Sequence, residues 1–205
     1  PTDCPTRERH GWAGDAQIFC PTACTLFDYA AFARKYERDL CDAQHKNGCF
    51  TQIAPVGGVD SYMNAMDGSA GWSDAGVLIP WDVYAAYGDR KILEENYDAM
   101  CRYARYKIGT LGKWYPTATP TGIGLKHGKD ISNYGQSYGE WAEPEDVKAF
   151  AISEFVSPHP EETTAYIVYL MEHMEKIFLM EIRKGWKKSS DMNDRVELHH
   201  IVRLL

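Results

Sequence analysis

The sequence has no long uninterrupted apolar run, no CxxC pair and no surplus of basic residues, and each lack excludes a class of protein. A helix needs about 20 consecutive apolar residues to cross the hydrocarbon core of a bilayer, so no membrane partner is expected. The net charge of -7 argues against nucleic acid, because a phosphate backbone calls for a concentrated basic surface. The six cysteines stand at Cys4, Cys20, Cys24, Cys41, Cys49 and Cys101, and no histidine near Cys20 and Cys24 completes a zinc site. A chain of 205 residues does not need disulfide staples, so these cysteines read as buried free thiols. His199 and His200 are adjacent and cannot share one helix face, so they read as surface residues rather than metal ligands. An initiating Met and a signal segment are also lacking. The chain opens inside a dense motif, which leads us to expect a start further upstream and leaves localisation unassigned.

The rest of the composition is that of an ordinary globular protein, with 44% hydrophobic and 25% charged residues. Aromatic residues are abundant at 13%, including 6 Trp and 13 Tyr. Such rings pack into cores, and their apolar faces also suit the C–H faces of sugars.

Apolar residues recur at helical spacing. From Asp15 to Gln44, the residues Ile18, Phe19, Phe27, Ala30, Ala31, Ala33, Tyr36 and Leu40 predict two helices meeting near Asp28, with Pro21 in a first turn where its missing N–H is harmless. A further helix is expected from Ser73 or Asp74, as N-cap, through Val77, Leu78, Trp81 and Tyr84 to Tyr87, with Pro80 inside it and Gly88 at its end. Another starts at Asp89, carries Leu93, Tyr97, Met100, Ala104 and Ile108 on one stripe, and stops at Gly109 and Gly112. The last runs from Glu161 to about Ile182, with Tyr166, Leu170, Met174 and Ile177 on one face. Glycine-rich loops at 55–72, 115–125 and 127–144 separate them, and long loops between helices usually carry function. Helix, polar loop, helix is the pattern of an α/α barrel, although an open helical bundle gives the same pattern. The stretch 184–205 continues no helical repeat and is read as an atypical tail after a unit spanning 1–183.

The densest chemistry lies in DCPTRERHGWAGD, from Asp3 to Asp15. It sets Asp3, Glu8 and Asp15 beside Arg7, Arg9, His10 and Trp12, with Gly11 and Gly14 between. A solvated charge cluster is the ordinary fate of such a run, but two glycines and a tryptophan ahead of a helix suit a pocket floor better. Crowded carboxylates raise one another's pKa, which is what a general acid for glycosidic cleavage requires. Arginines hold sugar hydroxyls or pin carboxylates. His10 either tunes Glu8 or makes a loop hydrogen bond.

The segment DCPTRERHGWAGDAQIF resembles the signature of the bacterial α-L-rhamnosidases. Further matches follow in order: GSAGWSDAGVLIPW at 68–81, AYGD at 86–89 and YGEWAEP at 138–144. The resemblance implies an all-α (α/α)6 barrel, of which this chain carries about half. It also implies inverting hydrolysis of terminal α-L-rhamnose from a rhamnose-containing carbohydrate, without a cofactor. By position Glu8 matches the general acid, while Asp3, Arg7 and Asp15 match residues holding the rhamnose hydroxyls. Trp12 matches a pocket wall, and Trp72 and Trp141 match aromatic residues facing the methyl side of the sugar. The matching base is a glutamate from the later half of the barrel, expected beyond Leu205. Glu140 and Glu143 flank Trp141 and read as loop or substrate contacts, and Asp74 reads as a helix cap. A glycosidase of other specificity on the same barrel and a catalytically incomplete sugar-binding fragment are the alternatives.

Overall fold

In a computed structural model, the described residues are 6–7, 9–57, 67–113, 128–132 and 160–183. They contain five α-helices: α1 (Ala13–Leu26), α2 (Ala30–Ala43), α3 (Ala75–Tyr87), α4 (Arg90–Ile108) and α5 (Pro160–Arg183), with a 3₁₀ turn at Gly128–Asp130. Among the described residues no strand forms beyond one isolated bridge between Trp12 and Ile53. No helix among them is long and apolar enough to cross a membrane. The expected helices are therefore present, with boundaries close to those read from periodicity. The tail 184–205, including His199 and His200, lies outside the described residues.

Helices α1 and α2 follow one another across a short turn and each packs on α3, while α3 and α4 form a hairpin. Helix α3 sits at the centre, against α1, α2, α4 and α5. This position explains its composition. Every residue from Ala75 to Pro80 is buried, so α3 is apolar almost all round, and that packing carries the helix through Pro80. The chain turns out of α3 at Gly88, whose φ of 67° lies in the left-handed region that glycine adopts without strain. Asp89 then caps α4 by accepting the Lys91 N–H at 3.2 Å, and Arg34 of α2 grips the same carboxylate at 2.8 and 2.5 Å. The α4 stripe is buried as expected from Leu93 to Ala104.

Three expectations are corrected. Pro21 lies well inside α1, which starts at Ala13, and not in a first turn. A proline there removes one backbone hydrogen bond, and the Thr25 hydroxyl donates to the Pro21 carbonyl at 3.0 Å. The inner face of α1 is made of Ala13, Ala16, Cys20 and Ala23, while Ile18 (70% exposed) and Phe27 (60% exposed) point outward. Small residues win the inner face because they let α1 approach α3 closely. The cysteines are indeed free at the five described positions, but only Cys20, Cys49 and Cys101 are buried, with Cys24 and Cys41 half-buried.

Glu37 is the unexpected core residue. It lies on α2, is fully buried, and neither carboxylate oxygen has a partner among the described residues. Burial raises its pKa well above the ordinary 4.5, so the acid is held neutral. Between those two values the folded chain holds a proton that the unfolded chain has released, and rising pH therefore favours unfolding. The stability contribution is intact below pH 4.5 and falls by about 1.4 kcal/mol per pH unit above it, for one proton. Asp82, raised to about 6 by burial, adds a contribution of the same sign. Glu37→Gln should keep its melting temperature better than wild type between pH 4.5 and neutrality; parallel pH profiles for the two proteins would refute the assignment.

Candidate active site at the N-terminus of α1

The approach to α1 is a short extended segment held against residues 51–54. The Ala13 N–H donates to the Gln52 carbonyl at 2.8 Å, and the Ala54 N–H donates to the Gly11 carbonyl at 3.0 Å. The Tyr36 hydroxyl donates to that same Gly11 carbonyl at 2.9 Å. Gly11 has to be glycine, since a Cβ there would stand 2.2 Å from the Ala54 carbonyl oxygen. One step earlier, Arg9 takes a φ of 58°, the only non-glycine residue in the left-handed region among those described. Arginine is rarely found there, so the backbone next to Glu8 is held by its surroundings rather than by local preference.

Beyond this segment the chain enters α1. Asp15 is exposed in the first turn, where the helix dipole favours an anion. Trp12 precedes the helix, and its indole Nε1 is buried without a hydrogen-bond partner among the described residues. The Trp72 indole lies directly against Gly14; a Cβ at Gly14 would be 2.8 Å from the indole ring. Gly14 and Trp72, far apart in sequence, thus meet at one helix end. Arg7 sits exposed in the turn leading in.

The loop bearing Trp72 is tied from beneath. The Gly71 N–H donates to Asp74 Oδ2 at 2.8 Å, and the Gly68 N–H donates to the Ser73 hydroxyl at 2.8 Å. The Tyr103 hydroxyl donates to Asp74 Oδ1 at 2.8 Å, and Lys107 Nζ donates to the Gly68 carbonyl at 3.2 Å. Asp74 therefore differs from the expected cap. It precedes α3, but its carboxylate makes no bond to the first turn of that helix and reaches back to Gly71 instead. At the base of the same loop Asp67 accepts the Gln52 N–H at 3.0 Å and meets His45 Nε2 at 2.6 Å. Burial pushes the Asp67 carboxyl up, opposed by the His45 hydrogen bond.

The structure thus places the Trp72 indole against Gly14, the helix residue between Trp12 and Asp15 in the chain. Asp3, Glu8 and Trp141 lie outside the described residues, as do Glu140 and Glu143. Sequence reasoning missed Tyr36, Tyr103 and Lys107, which hold the site from below; a tyrosine and a lysine on core stripes carry no motif. No cluster of three metal-ligating side chains occurs among the described residues.

Helices packed around a central α3, with no strand beyond one isolated bridge among the described residues, define an all-α fold of the α/α toroid class. Residues 1–185 match the family described as the bacterial alpha-L-rhamnosidase 6 hairpin glycosidase domain, and the chain belongs to that family. It is 38% identical over 157 residues to an alpha-L-rhamnosidase of Streptomyces avermitilis, a match covering 74% of this chain and 13% of that protein. An alpha-L-rhamnosidase of Formosa agariphila is 34% identical over 145 residues, covering 70% of this chain and 13% of the relative. In three dimensions the whole chain superposes on 16% of the S. avermitilis alpha-L-rhamnosidase complexed with L-rhamnose, with a TM-score of 0.69 and 30% identity. It also superposes on 20% of the alpha-L-rhamnosidase from Dictyoglumus thermophilum, with a TM-score of 0.70 and 28% identity. The chain spans a small part of the length of these relatives. An all-α toroid fragment is the architecture expected from the sequence.

Two glycines here should respond differently to a methyl group. Gly11→Ala drives Cβ into backbone and should lower stability by about 2 kcal/mol. Gly14→Ala meets the Trp72 indole instead of backbone, so it should cost less than Gly11→Ala while moving the Trp72 ring, read as a smaller loss of urea midpoint. Equal losses for the two variants would contradict the packing described.

Proposed function

We propose that this chain contributes the acid side of a site that hydrolyses terminal α-L-rhamnosides with inversion of configuration. Glu8 protonates the leaving glycosidic oxygen, which requires that it stay protonated near neutral pH. Asp3, Arg7 and Asp15 hold the rhamnose hydroxyls. Trp12, Trp72 and Trp141 form the wall for the apolar face and the methyl group of this 6-deoxy sugar. An inverting site also needs a base about 6.5–9.5 Å from the acid, leaving room for a water on the opposite face. That base is expected from a later part of the barrel.

The observation that carries the reading is the packing of the Trp72 indole on Gly14 in the first turn of α1, beside Trp12 and Asp15 in the chain and shortly after the segment bearing Glu8. Family membership and the L-rhamnose complex of the S. avermitilis relative point to the same sugar. The short span relative to those enzymes favours a second reading, in which this chain alone binds rhamnose without turning it over.

A panel of aryl glycosides offered to a longer protein containing this chain tests the specificity. Release from the α-L-rhamnoside is expected, and cleavage of the α-glucoside alone would overturn the rhamnose assignment. In that protein Glu8→Gln should reduce turnover by about 10²–10⁴-fold while sparing most rhamnose binding. Turnover by the 205-residue chain alone would overturn the second reading.

A further inference from the structure

Beneath Trp72 lies more buried charge than the packing of α3 and α4 requires. Asp74 is 0% exposed and Lys107 is 1% exposed, with 3.9 Å between Lys107 Nζ and Asp74 Oδ1. Tyr103, also fully buried, completes the group through its 2.8 Å bond to the same oxygen. Removing two charges from water costs several kcal/mol each, and their attraction offsets this only with good geometry and further hydrogen bonds. An apolar pair of similar volume often gives equal or greater stability. The buried charge therefore needs another account, and its direction supplies one.

Both charges are aimed at the backbone of one short loop. Asp74 Oδ2 accepts the Gly71 N–H, and Lys107 Nζ reaches the Gly68 carbonyl. Gly71 has a φ of 75°, a left-handed turn that sets the direction in which the next residue leaves. That next residue is Trp72, whose indole rests on Gly14. The loop is thus gripped on its backbone side by α4 and limited on its ring side by α1.

We propose that Asp74, Tyr103 and Lys107 are positioning residues that fix the Gly68–Trp72 turn and thereby set the place of the Trp72 indole at the sugar site. The role rests on the reading above in assigning Trp72 to the sugar. It does not rest on that reading for the grip itself. Loss of the grip frees the turn to sample other backbone angles, so the indole spreads over several positions while the helices stay packed.

The 205-residue chain labelled with 5-fluorotryptophan tests this by ¹⁹F NMR, with the Trp72 line identified by its disappearance in Trp72→Phe. The double variant Asp74→Leu/Lys107→Met replaces the ion pair by apolar side chains and should melt close to wild type. Its Trp72 line should nevertheless shift or broaden, with the Trp12 and Trp81 lines in place. Tyr103→Phe, which loses one hydroxyl, should do the same to a smaller degree and serves if the double variant does not fold. An unchanged Trp72 line in a folded variant would overturn the proposal and leave the charges with a purely structural role. L-Rhamnose added to the wild-type chain separates the two claims. If the sugar leaves the wild-type Trp72 line unmoved, the assignment of Trp72 to the sugar fails, and the line in the variants still decides the grip. If the sugar moves it, the variants should need about tenfold more sugar for the same displacement, as expected for losing one hydrogen bond to a charged group.

Discussion

The close backbone approach between Gly11 and Ala54 is the constraint on which the described structure depends. It brings the extended segment into register with residues 51–54 through two hydrogen bonds, and α1 starts where that register ends. Only glycine leaves room for the Ala54 carbonyl, and Tyr36 of α2 fastens the same point from the other side. From there the geometry propagates. Helix α1 leaves in a fixed direction, its face of small residues meets α3, and α3 packs in turn on α4 and α5. Arg9, two residues before Gly11, is already in the left-handed region, so the chain enters this clamp through a bend.

Polar groups are buried here in three different ways, and each suits its place. Glu37, among the residues of α2 facing the core, is held neutral by burial. Asp74 and Lys107 are buried as charges and spend their hydrogen bonds on loop backbone. Asp67 lies at the loop base with one oxygen on the Gln52 N–H and the other on His45, whose ring remains partly in solvent. The gradient runs from a group with no directional task to groups whose only visible task is direction. The interior of this helical packing therefore serves the loops at one end of the helices as much as it serves stability.

Helix positions were legible because apolar spacing and end signals agree over long stretches. Gly88 and Asp89 mark the turn between α3 and α4, and both act there as read. Where packing overrides local preference the reading failed. Pro21, read into a first turn, sits well inside α1 because tertiary contacts outweigh the roughly 3 kcal/mol a mid-helix proline costs, whereas Pro80 lies inside α3 as read. Ile18 and Phe27 follow helical spacing yet face outward, because spacing locates a stripe without saying which side of it the rest of the fold covers.

The site shows the same division. The sequence by itself determined the residue types and their order: carboxylates, arginines and a tryptophan packed between two glycines before a helix, a pattern dense enough to place the chain in its family. Only the tertiary structure decided that Trp72 lies on Gly14 and that Asp74 serves the loop behind it rather than the helix ahead. Covalent order constrains neighbours within a few residues. Contacts across about 60 positions exist only after loop closure has been offset by burial, so they follow from the packing of α1, α3 and α4 and leave no local pattern to read.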